Sequence, residues 1–268
     1  MVREAHVVAG GRPTRYLEAG TGWPVVLIHG FPLNADMWRP QLERVPEGWR
    51  YIAPDLRGFG PGAPSAERPL SMQDLAVDLV AVLDALEIES ATIGGLSMGG
   101  YVTFALYRLV PDRFTAALLA DTRPQADTDE GREGRRKMLA LVAERGSAAV
   151  ADAMLPTLLG KATRRERPAV EARVRQIAAT NSADALAGAL EAMMERPDST
   201  PLLATMSCPA LIIVGDEDAI TPRAEAEAMQ RRLPRSRLVV LPGAGHLSNM
   251  ETPDAFSAAL ADFASSSM

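Results

Sequence analysis

Gly95-Leu96-Ser97-Met98-Gly99, with Gly100 behind it, lies between a short apolar run, Ala91 to Gly94 (ATIG), and a helix-like stretch, Met98 to Leu109. A serine held in a tight strand-to-helix turn exposes its hydroxyl above a sheet, and the turn needs small neighbours because larger ones clash with the adjoining strand and helix. Gly95, Gly99 and Gly100 supply that room. The helix that follows points its partial positive end at the serine, which favours developing negative charge. The plainer alternative is a glycine-rich turn whose serine only caps a helix; a strand on one side and a helix on the other argue for the nucleophile.

Outward from this turn, short β-prone runs alternate with longer amphipathic ones, as a parallel sheet with crossover helices requires. Pro24 to His29, Tyr51 to Pro54, Ala91 to Gly94, Ala116 to Ala120, Ala210 to Val214 and Arg237 to Leu241 are mostly continuous apolar blocks, as expected of strands covered on both faces. Ahead of them, Ala5 to Val8 and Thr14 to Glu18 flank Gly10-Gly11-Arg12-Pro13 and predict an antiparallel hairpin at one edge. Ser71 and Asp74 form a capping-box start for a helix over Met72 to Leu86. Thr221-Pro222 and Thr252-Pro253 each place a capping residue before a first-turn proline, opening helices Arg223 to Leu233 and Asp254 to Phe263. The expected fold class is α/β, with a mostly parallel sheet.

Between Asp121 and Pro201 the strand rhythm stops, and four helix-like stretches follow one another, broken by Gly146, Pro156, Gly160, Pro168 and Pro197. This predicts a helical cap over residues 122–200, inserted into a core formed by residues 1–121 and 201–268. From Asp127 to Thr200 there are 12 Lys+Arg and 12 Asp+Glu, so the cap is neutral and the rest carries the net charge of -6. The same stretch has no Phe, Tyr or Trp; Met138, Met154, Met193 and Met194 with many Leu and Ala predict an aliphatic, adaptable lining. Only the Ser265-Ser266-Ser267 tail is expected to fray.

Composition narrows the function. At 268 residues and 47% hydrophobic, the chain can bury a large core. A net charge of -6 has the wrong sign for a nucleic-acid partner. Cys208 is the single cysteine, so no intrachain disulfide forms and no oxidising compartment is implied. Charges at Arg3 and Glu4 stand where a signal peptide needs its apolar stretch, and no segment has the length of a membrane span, so a cytoplasmic protein is expected. With His6, His29 and His246 the only histidines, a His/Cys metal site is nearly excluded by supply, and no metal is expected.

A serine hydroxyl is a poor nucleophile near neutral pH and needs a base, which in turn needs a group to orient it. His246, in Gly243-Ala244-Gly245-His246, follows the last predicted strand and is the candidate base. Asp218, in Gly215-Asp216-Glu217-Asp218, follows the preceding strand and is the candidate acid; Asp121, also at a strand end, is its alternative. Asp216 and Glu217 read as turn or solvated residues, and His6 as structural. After the first long strand, His29-Gly30-Phe31-Pro32 offers the Phe31 backbone N–H, which with that of Met98 would hold an oxyanion. His29 itself reads as a brace for that loop. Trp38 is either a pocket-lining or a core residue.

The order HGFP, GLSMGG, GDED and GAGH, spread over nearly the whole chain, resembles the α/β-hydrolase superfamily, where serine, acid and histidine follow one another in this order. Gly-Leu-Ser-Met-Gly-Gly and His246-Leu247-Ser248-Asn249-Met250-Glu251 resemble the 3-oxoadipate enol-lactonase and small carboxylesterase branch, and are similar to cofactor-free haloperoxidase or perhydrolase relatives. The resemblance implies cofactor-independent hydrolysis of a small or medium carboxylic ester or lactone through an acyl-enzyme on Ser97. Haloalkane dehalogenases and epoxide hydrolases share the His-Gly-x-Pro turn but use an aspartate at the elbow, so Ser97 argues against both. In the cap no motif matches; Arg123 and the cap arginines read either as a grip on a substrate carboxylate or as solvated surface, and Met154 as lining. Two other readings stand beside this one: transfer of the acyl group to hydrogen peroxide or another acceptor, and a ligand-binding protein with little turnover. Monomer and homo-oligomer are both compatible with these residues.

Overall fold

Runs of apolar residues with no polar alternation must be covered twice, and the computed structural model, which describes residues 1–64 and 70–266, covers them so. Its strands are β1 (Arg3–Ala9), β2 (Arg12–Gly20), β3 (Trp23–Ile28), β4 (Trp49–Pro54), β5 (Ala91–Leu96), β6 (Phe114–Ala120), β7 (Ala210–Gly215) and β8 (Ser236–Leu241). Among the described residues they form one eight-stranded sheet in the order β1-β2-β4-β3-β5-β6-β7-β8. The pairs β1/β2 and β2/β4 are antiparallel and every later pair is parallel. The expected edge hairpin is present, turning at Gly10 and Gly11.

Successive residues of the central strands face opposite layers, as the pleat demands. Val26, Ile28, Ile93 and Leu119 pack with helices α2 (Met72–Ala85), α3 (Met98–Leu109) and α9 (Arg223–Gln230). Val25, Leu27, Leu118 and Ile213 pack on the other face with α1 (Arg39–Leu42) and α11 (Pro253–Ser266). α2 starts at the predicted capping box, with Ser71 and Asp74 bonded reciprocally. β8 departs from the expectation of a strand buried on both faces: it is a sheet edge and most of its residues are only half-buried.

Between β6 and β7 run α4 (Asp129–Leu158), α5 (Lys161–Glu166), α6 (Pro168–Ala178), α7 (Ala183–Met194) and α8 (Thr200–Leu203), with α4 packed on α7 and α6. Gly146, at φ 75° and ψ -174°, kinks α4 as its composition suggested. Pro156 does not break the chain there; it sits inside α4, in the last turn, where it forfeits a single ladder bond. Of the serine tail, Ser265 and Ser266 close α11, and Ser267 lies outside the described residues. The short α10 (Ser248–Glu251) precedes α11, and the Thr252 hydroxyl donates to the Ser248 carbonyl (3.1 Å) rather than capping α11. Among the described residues no helix is long and apolar enough to cross a membrane.

Parallel pairing brings the carboxyl ends of β3, β5, β6, β7 and β8 to one edge of the sheet. The chain leaves β3 for β4 on one side and returns to β5 on the other, so the strand order reverses between β3 and β5, which is where open α/β sheets place their crevice. His29, wholly buried at the end of β3, ties this edge together: its Nε2 accepts the Leu56 N–H (3.1 Å) from the loop after β4, so Nδ1 carries the proton, 3.3 Å from the Gly30 carbonyl. The brace expected of His29 is thus what it supplies.

Burial pushes the His29 imidazole down to about 4, so the fold holds it neutral. The unfolded chain takes up this proton near pH 6.5. The stabilisation is therefore complete above pH 6.5 and is lost as the pH falls towards 4, by an amount on the order of 3 kcal/mol. Urea unfolding midpoints measured across this range are expected to fall steeply for the wild type and less steeply for His29→Gln, whose amide still accepts the Leu56 N–H. Equal slopes would contradict this account.

Candidate active site

Ser97 sits at φ 55° and ψ -113°, a conformation that a non-glycine residue holds only when its surroundings over-determine it. Its N–H donates to the Ala120 carbonyl (2.9 Å), and its carbonyl accepts from the Gly100 N–H (2.9 Å) and the Thr122 hydroxyl (2.8 Å). The glycines around it are required by contact. A Cβ on Gly95 would lie 2.4 Å from the Ile28 carbonyl oxygen, one on Gly99 2.2 Å from the same oxygen, and one on Gly100 2.4 Å from the Thr122 hydroxyl. The predicted elbow is therefore a place where β5, α3 and the end of β3 touch backbone to backbone.

That contact places the loop after β3 beside the serine: a Cβ on Gly30 would sit 3.5 Å from the Ser97 Cβ. Phe31, the next residue, is buried, and Met98 opens α3, where a first-turn N–H has no partner within the helix. The residues whose amides are expected to face an oxyanion thus belong to two elements that meet at Ser97.

His246 and Asp218 are brought together. Both are buried, and the His246 Nδ1 lies 2.9 Å from the Asp218 Oδ2. Asp218 is saturated with donors: its Oδ2 also accepts the Thr221 hydroxyl (2.6 Å), and its Oδ1 accepts the backbone N–H of Ile220 (2.8 Å) and Thr221 (2.9 Å). Burial raises its carboxyl, but His246 and the Thr221 hydrogen bonds outweigh burial and hold it below the ordinary carboxylate range. With Nδ1 committed to the carboxylate, Nε2 is the nitrogen left to exchange a proton.

Asp121, the alternative acid, is placed elsewhere. Its Oδ1 accepts the Gly215 N–H (2.9 Å), and its Oδ2 accepts the Ser248 hydroxyl. Burial first, then the charge of Asp218, pushes its carboxyl well above the usual range. It ties β6 to the start of the acid loop and to the residues just past His246, while its neighbour Thr122 holds Ser97. Asp216 braces a turn by accepting the Gly243 N–H (2.8 Å), as a turn residue should.

Of the tentative pocket residues, Trp38 takes the core place of its two readings: it is 0% exposed and its ring packs on Phe256 (centroids 5.8 Å apart) beneath α11. Large aromatic area was better buried there than at a site rim. Arg123 is half-buried and pairs with Asp127 (3.6 Å). Met154 is partly buried against the layers on both faces of the sheet. The cap arginines divide: Arg136 and Arg165 are exposed and paired with neighbouring acids, whereas Arg135 and Arg196 turn inward onto the buried Asp127. Arg196 also stacks 4.0 Å over the Tyr101 ring.

Two contributors escaped the sequence reading. Thr221, read as a helix cap, gives its hydroxyl to Asp218, and Pro222 stands at the cap position of α9 instead. Asn181, between α6 and α7, donates to the Pro32 carbonyl (2.8 Å) and accepts from Asn34 Nδ2 (2.9 Å) and the Gly60 N–H (2.9 Å), clamping the helical insertion to the loop after β3. Asn181 has no local sequence signal, because its partners are set by packing, whereas Thr221 and Asp218 are three residues apart and form a local side-chain turn. Among the described residues no group of three or more His, Cys, Asp or Glu side chains is placed to hold a metal ion.

Comparison with known proteins places this geometry. A family model described as the alpha/beta hydrolase fold matches residues 24–253. The chain is 30% identical over 236 residues to 3-oxoadipate enol-lactonase 2 of Acinetobacter baylyi, which covers 88% of this chain and 86% of that one. Its structure is similar to that of a thermophilic esterase from Thermogutta terrifontis with malate bound, at a TM-score of 0.92 and 38% identity, covering 99% of both chains. It is also similar to a bromoperoxidase from Bacillus anthracis, at a TM-score of 0.85 and 25% identity, covering 98% of this chain and 100% of that one. From a match that takes in the elbow, the acid loop and the histidine alike, the chain belongs to the α/β-hydrolase fold family.

Proposed function

We propose that this chain is a serine hydrolase that cleaves small or medium carboxylic esters or lactones through an acyl-enzyme on Ser97. The observation that carries the reading is the buried His246–Asp218 hydrogen bond of 2.9 Å at the same sheet edge as Ser97. The enol-lactonase and esterase named above support the substrate class.

The Ser97 Oγ attacks the acyl carbonyl while the His246 Nε2 takes its proton. Asp218 keeps the Nδ1–H tautomer and stabilises the imidazolium. The tetrahedral oxyanion lies against the Phe31 and Met98 N–H groups; losing one such donor typically costs about 2.7 to 4 kcal/mol of barrier. Collapse expels the alkoxide, which takes the proton from His246; in a lactone the alcohol stays tethered to the acyl chain. Water, deprotonated by the same imidazole, then releases the acid and frees Ser97. Residues 122–200 act as a cap on a core of residues 1–121 and 201–268: they leave and rejoin the sheet around this edge, and Asn181 binds the loop that carries Phe31. Arg123 and Met154 are the cap-side residues we assign to substrate contact.

Similarity to a bromoperoxidase favours one second reading, in which hydrogen peroxide replaces water at the acyl-enzyme and a peracid forms. Yields of peracid and acid from one acyl donor distinguish the two.

A p-nitrophenyl ester of a short acid is expected to give a burst of p-nitrophenol that Ser97→Ala abolishes, with turnover lowered by roughly 10⁶. Absence of a burst together with tight ligand binding would overturn the enzyme reading in favour of a binding protein. Asp218→Asn is expected to lower kcat by roughly 10⁴. Asp121→Asn, which still accepts the Gly215 N–H, is expected to change kcat far less, and the reverse order would reassign the acid.

A further inference from the structure

Glu251, at the end of α10, is 1% exposed, and a buried carboxylate is tolerated only where donors replace water. Its donors are backbone amides. Oε1 accepts the N–H of Gly245 (2.9 Å) and of Leu247 (3.2 Å), the two residues on either side of His246. Oε2 accepts the N–H of Gly160 (2.8 Å), between α4 and α5 of the helical insertion. One carboxylate thus joins the histidine loop to the insertion.

The join is close. A Cβ on Gly245 would lie 2.2 Å from the Gly160 nitrogen and 2.7 Å from the Leu159 carbonyl carbon, so the two segments meet main chain to main chain. The Leu247 N–H also points at the Leu158 carbonyl (3.2 Å). Arg167 of the insertion adds a second tie, donating to the Glu251 carbonyl and to the Gly243 carbonyl (3.1 Å). The peptide planes before and after His246 are therefore fixed by a side chain that the triad chemistry does not use. Those planes set where the imidazole projects, and a misplacement of about 1 Å can cost 10²-fold in rate.

We propose that Glu251 is a positioning residue for His246, and that through Gly160 it makes the insertion part of the apparatus that aims the base. This rests on the acyl-enzyme reading above. A carboxylate that merely caps the short α10 would affect folding and nothing else, so the test counts sites and times them separately.

Pre-steady-state bursts with p-nitrophenyl acetate on the full chain give the number of working sites from the amplitude and the acylation rate per site from the time constant. For Glu251→Gln, whose amide N–H cannot accept from these donors, the rate per site is expected to fall by about 10- to 100-fold with KM within about twofold. The far-downfield proton resonance of the His246–Asp218 hydrogen bond is expected to shift or broaden. Glu251→Asp keeps the charge but shortens the reach by one methylene; it is expected to be slow as well, and it carries the test if Glu251→Gln does not fold. A smaller amplitude at an unchanged rate per site would overturn the proposal, as would a wild-type rate in Glu251→Asp beside a slow Glu251→Gln, because charge and not placement would then be responsible. If the wild type gives no burst that depends on Ser97, the acyl-enzyme reading fails instead, and the downfield resonance alone decides whether Glu251 holds His246.

Discussion

Backbone pressed against backbone at the end of β5 is the constraint on which the rest depends. Gly95 and Gly99 approach the Ile28 carbonyl so closely that no side chain fits, and Gly100 does the same against Thr122. This contact forces Ser97 into a positive φ, a cost on the order of 1–3 kcal/mol. Hydrogen bonds to Ala120, Gly100 and Thr122 hold it there, so neighbouring strands maintain the strain. The same contact sets the loop after β3 alongside the serine, with Gly30 beside the Ser97 Cβ. Ser97 and the loop after β3 are thus held as one unit by main-chain contact.

Two buried carboxyls at this edge show how surroundings divide one chemistry into two. Asp218 receives two backbone amides, a hydroxyl and the imidazole, and stays ionised. Asp121 receives one amide and one hydroxyl, and burial first, then the charge of Asp218, drives it towards the protonated form. Environments that push two acids apart assign their roles. Only the ionised one can stabilise an imidazolium; the other is suited to cross-linking strands.

The helical insertion is neutral in composition yet far from passive in its use of charge. Arg135 and Arg196 close on Asp127, and that pairing, against the effect of burial, holds the Asp127 carboxyl below its ordinary range. Burying an acid without such partners would be costly. Polar ties at Asn181 and Gly160 then attach the insertion to the loop after β3 and to Glu251 of α10. An aliphatic interior alone would leave its orientation on the core weakly specified, since apolar contact is non-directional.

Much of this was legible in the chain because it depends on local patterns. Apolar blocks marked the strands, Ser71 and Asp74 marked the start of α2, Gly-x-Ser-x-Gly marked the tight turn at Ser97, and the strand ends pointed to the neighbourhood in which His246 and Asp218 meet. Other features were decided by the tertiary structure alone. Trp38 is in the core, where Phe256, over two hundred residues away, lies across it; Asp121 turned to Ser248 rather than to His246. Pro156 stayed within a helix that its residue type argues against. Periodicity and turn chemistry act between near neighbours, whereas what covers a buried ring, or bonds a buried polar group, is whichever distant residue the packed fold brings into contact.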